Sequence, residues 1–185
     1  MAESPTSREA LQPKPPVIVA FGNAMACDDG VGPWIVSRLE RLLPPQAARL
    51  EIAAAPGPEL FAFLEAPGEL WLIDAARGAG LAPGCLLQRR IGPGEEPPLM
   101  GSARLVSTHG LSVVELLKLA DALHRRRATV ELFGVVGERF EAGDRLSPAV
   151  ERAAERLIVD LVARLGPSAA VGPDAAEDLR RGNVS

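Results

Sequence analysis

The chain has 185 residues, 47% of them hydrophobic, and a net charge of −4 with 18 Arg and only 2 Lys among its cations. That length fits one domain large enough to bury a core without a metal or disulfide staple. The acidic balance argues against nucleic acid as the main partner, because phosphate binding leaves a basic footprint. The two cysteines, Cys27 and Cys85, form no C-x-x-C pair, which disfavours a disulfide framework or a structural zinc site. No apolar run reaches the roughly 18 residues of a membrane-spanning helix.

Residues 1–16 are polar and proline-bearing, without the apolar stretch of a signal peptide, so the expected compartment is the cytoplasm. They read as a disordered tail, as do residues 167–185, and the folded domain is expected over 17–166. Val17–Phe21 is a short apolar run ending at Gly22 and reads as a buried strand. Residues 31–43 follow with helical spacing, with Trp34, Ile35, Leu39, Leu42 and Leu43 on one face and Pro33 in the first turn. Arg49–Ala53 is a weak strand and Pro58–Glu65 a short helix. Glu69–Ile73 is a buried strand expected to stop at Asp74, and Gly84–Arg89 an edge strand. The Pro/Gly-rich segment 91–102 reads as a loop. Ser112 and Glu115 form a capping box for a helix running to about His124. Ala128–Val136 is the last strong strand. Ser147 as cap and Pro148 as first residue open a final helix through Leu165.

This alternation predicts an α/β three-layer sandwich: a mostly parallel central sheet of about five strands, with helices on both faces. Ligands in such sheets bind beyond the carboxyl ends of the strands. Three chemistry-bearing segments fall there: Gly22–Gly32 with Asn23, Asp28 and Asp29; Asp74; and Ser107–Gly110 with His109. Carboxylate plus imidazole suits a divalent first-row metal such as nickel or zinc. Each also has a plainer reading. Asp28 or Asp29 caps the following helix, although two adjacent aspartates leave one side chain over. Asp74 bonds its own turn, and His109 packs structurally. His124, beside Arg125, Arg126 and Arg127, reads as a solvated helix end. No dinucleotide fingerprint, phosphate loop or nucleophile elbow is present. Cys27 gains thiolate character near a helix start, but Asp28 and Asp29 oppose it.

Gly22-Asn23, followed by Asp28-Asp29-Gly30-Val31-Gly32, resembles the opening motif of the nickel–iron hydrogenase maturation endopeptidases. The resemblance continues through Leu72–Ala75, Ser107–Leu111, Phe133–Glu138 and Leu146–Pro148, in family order from about 17 to 165. It implies an endopeptidase that trims the C-terminal extension from the large-subunit precursor of nickel–iron hydrogenase after nickel insertion. The implied metal ligands are Asp29, Asp74 and His109, with nickel supplied by the substrate and with Asn23 and Asp28 as possible supporting residues. The precursor is then the partner, and the enzyme a monomer without nucleic-acid or membrane partners. For Asp28, helix capping and a general-base role both stand; for Asn23, turn geometry and donation to an oxyanion both stand. The chain departs from relatives at Ala20, where they carry glycine, and at Ile52–Gly57, which lacks their acidic residue. The alternatives are a non-catalytic module that binds metal or a hydrogenase subunit, and a small-molecule hydrolase or nucleotide binder argued from fold alone.

Overall fold

The computed structural model describes residues 14–78, 80–96, 103–105 and 112–165. Strands β1 (Val17–Phe21), β2 (Arg49–Ala53), β3 (Gly68–Gly78), β4 (Leu86–Ile91), β5 (Ala103–Leu105) and β6 (Ala128–Val136) form one sheet. Its order is β2-β1-β3-β6-β4, with β5 pairing β3 off that path. β2, β1, β3 and β6 run parallel, and β4 closes one edge antiparallel to β6. Helices α1 (Val31–Leu42) and α4 (Pro148–Arg164) cover one face, and α2 (Leu60–Glu65) and α3 (Val113–Ala122) the other. The expected mostly parallel α/β sandwich is the fold of the chain.

The inner strands are buried on both sides, which is why they read as apolar runs rather than alternating ones. Ile18, Ala20, Trp71, Ile73, Phe133 and Val135 pack against α1 and α4. Their strand neighbours Val19, Phe21, Leu70, Leu72, Val130 and Leu132 pack against α2 and α3. Each large aliphatic side chain so buried contributes roughly 1.5–3 kcal/mol. Trp71 is therefore core, in edge-to-face contact with Phe133 at 6.1 Å, while Trp34 is half-buried under the Arg38 guanidinium. Among the described residues no helix is long and apolar enough to cross a membrane.

The structure corrects several expectations. β3 does not stop at Asp74 but continues to Gly78, held by β6 through Ala76↔Val136. β5 was not foreseen. It pairs antiparallel with Ala76–Gly78, and since Ala76 also pairs with β6, β5 lies on the opposite edge of β3. It thus extends the line of β1, whose pairing with β3 ends at Ile73. β4 is displaced to Leu86–Ile91, so the expected loop begins one residue later, and residues 97–102 of it lie outside the described residues. The basic cluster after α3 is not a uniformly solvated end. Arg126 is buried, gripping Asp121 at 2.6 and 2.8 Å and donating to the carbonyls of Ile91 and Glu95. The guanidinium ties the end of α3 to the end of β4. The Ser112–Glu115 capping box is formed as expected.

Candidate functional site

The chain leaves β1 through Gly22, whose φ of +128° is open to glycine but strained for other residues. A Cβ there would lie 1.9 Å from the Asp29 carbonyl oxygen, so the loop folds back onto this position. Asn23 shapes the return. Its Oδ1 accepts from the Met25 N–H at 2.9 Å, and its backbone carbonyl accepts from Ala26. This is the turn-forming reading of Asn23. Its own N–H donates to Asp29 Oδ2 at 2.8 Å. A 3-10 turn over Cys27–Gly30 then leads directly into α1.

Gly32 sets the approach of α1 to the sheet. A Cβ at this position would lie 2.4 Å from the Phe21 carbonyl oxygen and 3.2 Å from that of Ile73. The helix start therefore rests on the carboxyl end of β1 and the middle of β3. Gly32→Ala should push α1 off those strands and destabilise the protein by roughly 2–3 kcal/mol, read as a lower midpoint in urea at unchanged slope. A midpoint equal to that of the native chain would show that the contact yields freely.

Asp29 does not cap α1 with its side chain; the cap position is Gly30, without a side-chain bond. Its carboxylate, 9% exposed, instead lines a groove of about 780 Å³ with Asn23, Ile52, Ala55 and Phe140. Asp74 lies opposite Gly134 in the β3–β6 register and is 4% exposed. Burial pushes its carboxyl up to about 8; the Ala75 N–H holds it down, and the charge of Asp29 raises it further. Asp74 Oδ2 has no hydrogen-bond partner among the described residues. Two of the three expected metal-contacting side chains thus feel one another electrostatically at the carboxyl end of the sheet. The third, His109, lies outside the described residues. In sequence it follows Leu105 by four residues, and Leu105 pairs with Ala76, two residues beyond Asp74. Among the described residues no three His, Cys, Asp or Glu side chains form a metal-binding group.

Asp28 has a role that neither sequence reading contained. It is fully buried and accepts four hydrogen bonds. Oδ1 takes the Ser147 N–H at 2.6 Å; Oδ2 takes the Glu138 and Arg139 N–H groups, each at 2.9 Å, and the Ser147 hydroxyl at 3.1 Å. With four donors on its oxygens it is poorly placed to act as a base, and it does not cap the helix that follows it. Ser147 occupies the cap position of α4, but its side chain makes no cap bond there. The hydroxyl is spent on Asp28. Backbone bonds complete the seam: Cys27 N–H to Gly143, Gly143 N–H to Met25, and Asp28 N–H to Arg139. Residues 137–147 are therefore the second wall of the first loop. Cys27 is buried in that seam, 2% exposed, with Sγ accepting from Arg139 at 3.5 Å.

Residues 34–164 match the family model described as hydrogenase maturation protease. No relative among the curated proteins matches the sequence. In fold the chain is similar to the hydrogenase maturating endopeptidase HybD from E. coli, at 23% identity and a TM-score of 0.62, covering 82% of this chain and 91% of that one. It is also similar to the [NiFe] hydrogenase maturation protease HycI from Thermococcus kodakarensis KOD1, at 22% identity and a TM-score of 0.61, covering 82% and 92%. The [NiFe] hydrogenase maturation protease HybD from Thermococcus kodakarensis gives 20% identity, a TM-score of 0.61, and coverage of 82% and 99%. At these identities the structural likeness speaks for the fold, and the family model for the family.

Proposed function

The chain belongs to the hydrogenase maturation protease family, and from that premise we propose that it recognises a nickel ion carried by its substrate through Asp29, Asp74 and His109. The family's reaction is C-terminal processing of the hydrogenase large subunit, and this protein is accordingly a peptidase acting on a large-subunit precursor. The nickel belongs to the substrate in this reading, not to the resting enzyme.

One observation carries the proposal. Asp74 is a buried carboxyl with an oxygen lacking any described partner, next to a second carboxylate that raises its pKa. Such a group is costly to keep charged without a counterion, and a dication entering from the groove would supply one. Strongly perturbed acids in a cleft are functional-site candidates on general grounds. Asp29 is held towards the groove by the Asn23 N–H, so its remaining lone pairs are available to the metal. A nickel bound by substrate groups and these carboxylates would fix the scissile peptide and polarise its carbonyl. The enzyme is expected to act in the cytoplasm as a monomer that meets its precursor transiently; both cysteines are free thiols, as a reducing compartment keeps them.

The test is a processing assay. Large-subunit precursor, nickel-loaded and nickel-free, is mixed with the enzyme, and the precursor's C-terminal mass is read. The tail should be lost only from the loaded form, with Asp29→Ala and His109→Ala folded but at least about 100-fold slower. Normal processing by both variants would remove the site assignment. Equal cleavage of loaded and empty precursor would remove the nickel gate. A stable complex without cleavage of loaded precursor would restore the non-catalytic alternative.

A further inference from the structure

Arg77 lies on β3, three residues beyond Asp74: roughly 10 Å further along the strand and, at an odd spacing, on the opposite face, the one that carries Ile73 and Ala75. It is exposed, and its guanidinium stacks 3.8 Å from the centroid of the Phe140 ring. Phe140 in turn lines the groove that contains Asp29. None of the ion pairs among the described residues includes Arg77. Its charge is not among the causes that shift Asp74, although the two share a strand. Arg139, on the neighbouring loop, is by contrast already paired with Glu141. Stacking on an aromatic face fixes the plane of a guanidinium while leaving its edge donors unspent. The groove thus has the Asp29 carboxylate in its lining, and against the Phe140 ring of its wall lies an oriented cation without an ion pair among the described residues.

We propose that Arg77, held by Phe140, is a specificity-determining anion site that binds a carboxylate of the precursor's C-terminal segment. This deepens the processing reading and rests on it. The metal-bound part of the substrate would sit at Asp29 and Asp74, and the tail would continue along the groove past Phe140, the ring that lines the groove and carries Arg77. A planar guanidinium takes a carboxylate bidentately, which fixes orientation as well as affinity. That carboxylate has two sources: an acidic side chain near the scissile bond, or the α-carboxylate at the end of the precursor. Binding through Arg77 would let the enzyme select the right tail independently of the metal that licenses cutting.

The experiment pairs Arg77→Met and Arg77→Lys with three loaded precursors. These carry the native tail, a tail with its acidic side chains changed to amides, and a tail lengthened by a short neutral sequence that displaces the α-carboxylate. Against the native tail Arg77→Met should raise KM roughly tenfold, with the effect on KM rather than kcat, and Arg77→Lys should fall between. One altered precursor should be processed poorly by the native enzyme and no longer distinguish it from Arg77→Met, and which one it is identifies the source. Unchanged KM for Arg77→Met, or a penalty of equal size on all three precursors, would overturn the proposal. Binding of the same precursors to Asp29→Ala and to Asp29→Ala/Arg77→Met is measured alongside. Absence of cleavage by the native enzyme, with the Arg77-dependent binding difference intact, would count against processing and not against the anion site. Absence of that difference would count against the anion site whatever the turnover.

Discussion

Asp28→Ala should lower the melting temperature by about 10–20 °C, which makes it the most damaging single change to the site loop. The substitution leaves the N–H groups of Glu138, Arg139 and Ser147 and the Ser147 hydroxyl without their acceptor. Bonds to a charged acceptor contribute about 1.5–3 kcal/mol each, and those freed from burial cost more to leave unmade than they gained when made. Because the four share one carboxylate they do not add, and a total of roughly 3–5 kcal/mol is expected, a large part of a typical domain's stability. Asp28→Asn is not a rescue. Donors face both oxygens of the native group, so whichever way the amide turns, its NH2 meets at least one N–H. The asparagine variant should recover only part of the loss. Thermal unfolding followed by circular dichroism decides the matter. An asparagine variant with native stability and abolished turnover would return Asp28 to the role of base.

Much of this fold was legible because the inner strands must be apolar on both faces. β1 and β6 fall on the residues expected from their apolar runs, and the edge strand β2 on the weaker pattern of Arg49–Ala53. The boundary of β3 was misread because Asp74 looks like a terminator at the end of an apolar run. Its continuation uses Ala75 and Ala76, which pair with β6 but carry little apolar signal of their own. β5 has three residues and no alternation to detect; it exists because β3 outruns β1 and leaves an edge to be paired. Pairing decided by a non-local vacancy does not announce itself in a local window.

The site divides in the same way. The Asp28-Asp29 doublet already implied a side chain beyond the needs of one helix cap, but its destination is 110 to 119 residues away. The sequence blocks around Glu138 and Ser147 were visible through family resemblance, without any indication that they donate to a carboxylate on the first loop. The Ser147-Pro148 pair gave a correct helix start and a wrong use of the hydroxyl. A start signal constrains backbone geometry, whereas the fate of a short side chain depends on whichever acceptor the fold brings closest. Arg77 carried no signal at all. Its orientation depends on Phe140, which a long loop returns to the same edge of the sheet.

Asp74→Asn should make the free protein more stable at alkaline pH and the enzyme nearly inactive. The folded carboxyl titrates at about 8, against an ordinary value of 3.8. The folded state therefore binds this proton more tightly than the unfolded chain does. The corresponding stabilisation is fully present below the unfolded value and is lost as pH rises through the folded one. Between about pH 4 and pH 8 the native protein should lose stability from this group, and above that range the loss should level off. Asparagine keeps the neutral form at every pH. The two proteins should melt together near pH 4, and the variant should melt about 10–20 °C higher at pH 9. Taking the difference between them cancels other groups that titrate in the same range. Processing should meanwhile fall at least about 100-fold, since an amide cannot neutralise a dication. A difference in melting temperature that stays constant from pH 4 to pH 9 would show that Asp74 is already charge-compensated in the folded protein. Stability rising where activity disappears is the expected signature of a carboxylate kept without a partner in the resting fold because its partner arrives with the substrate.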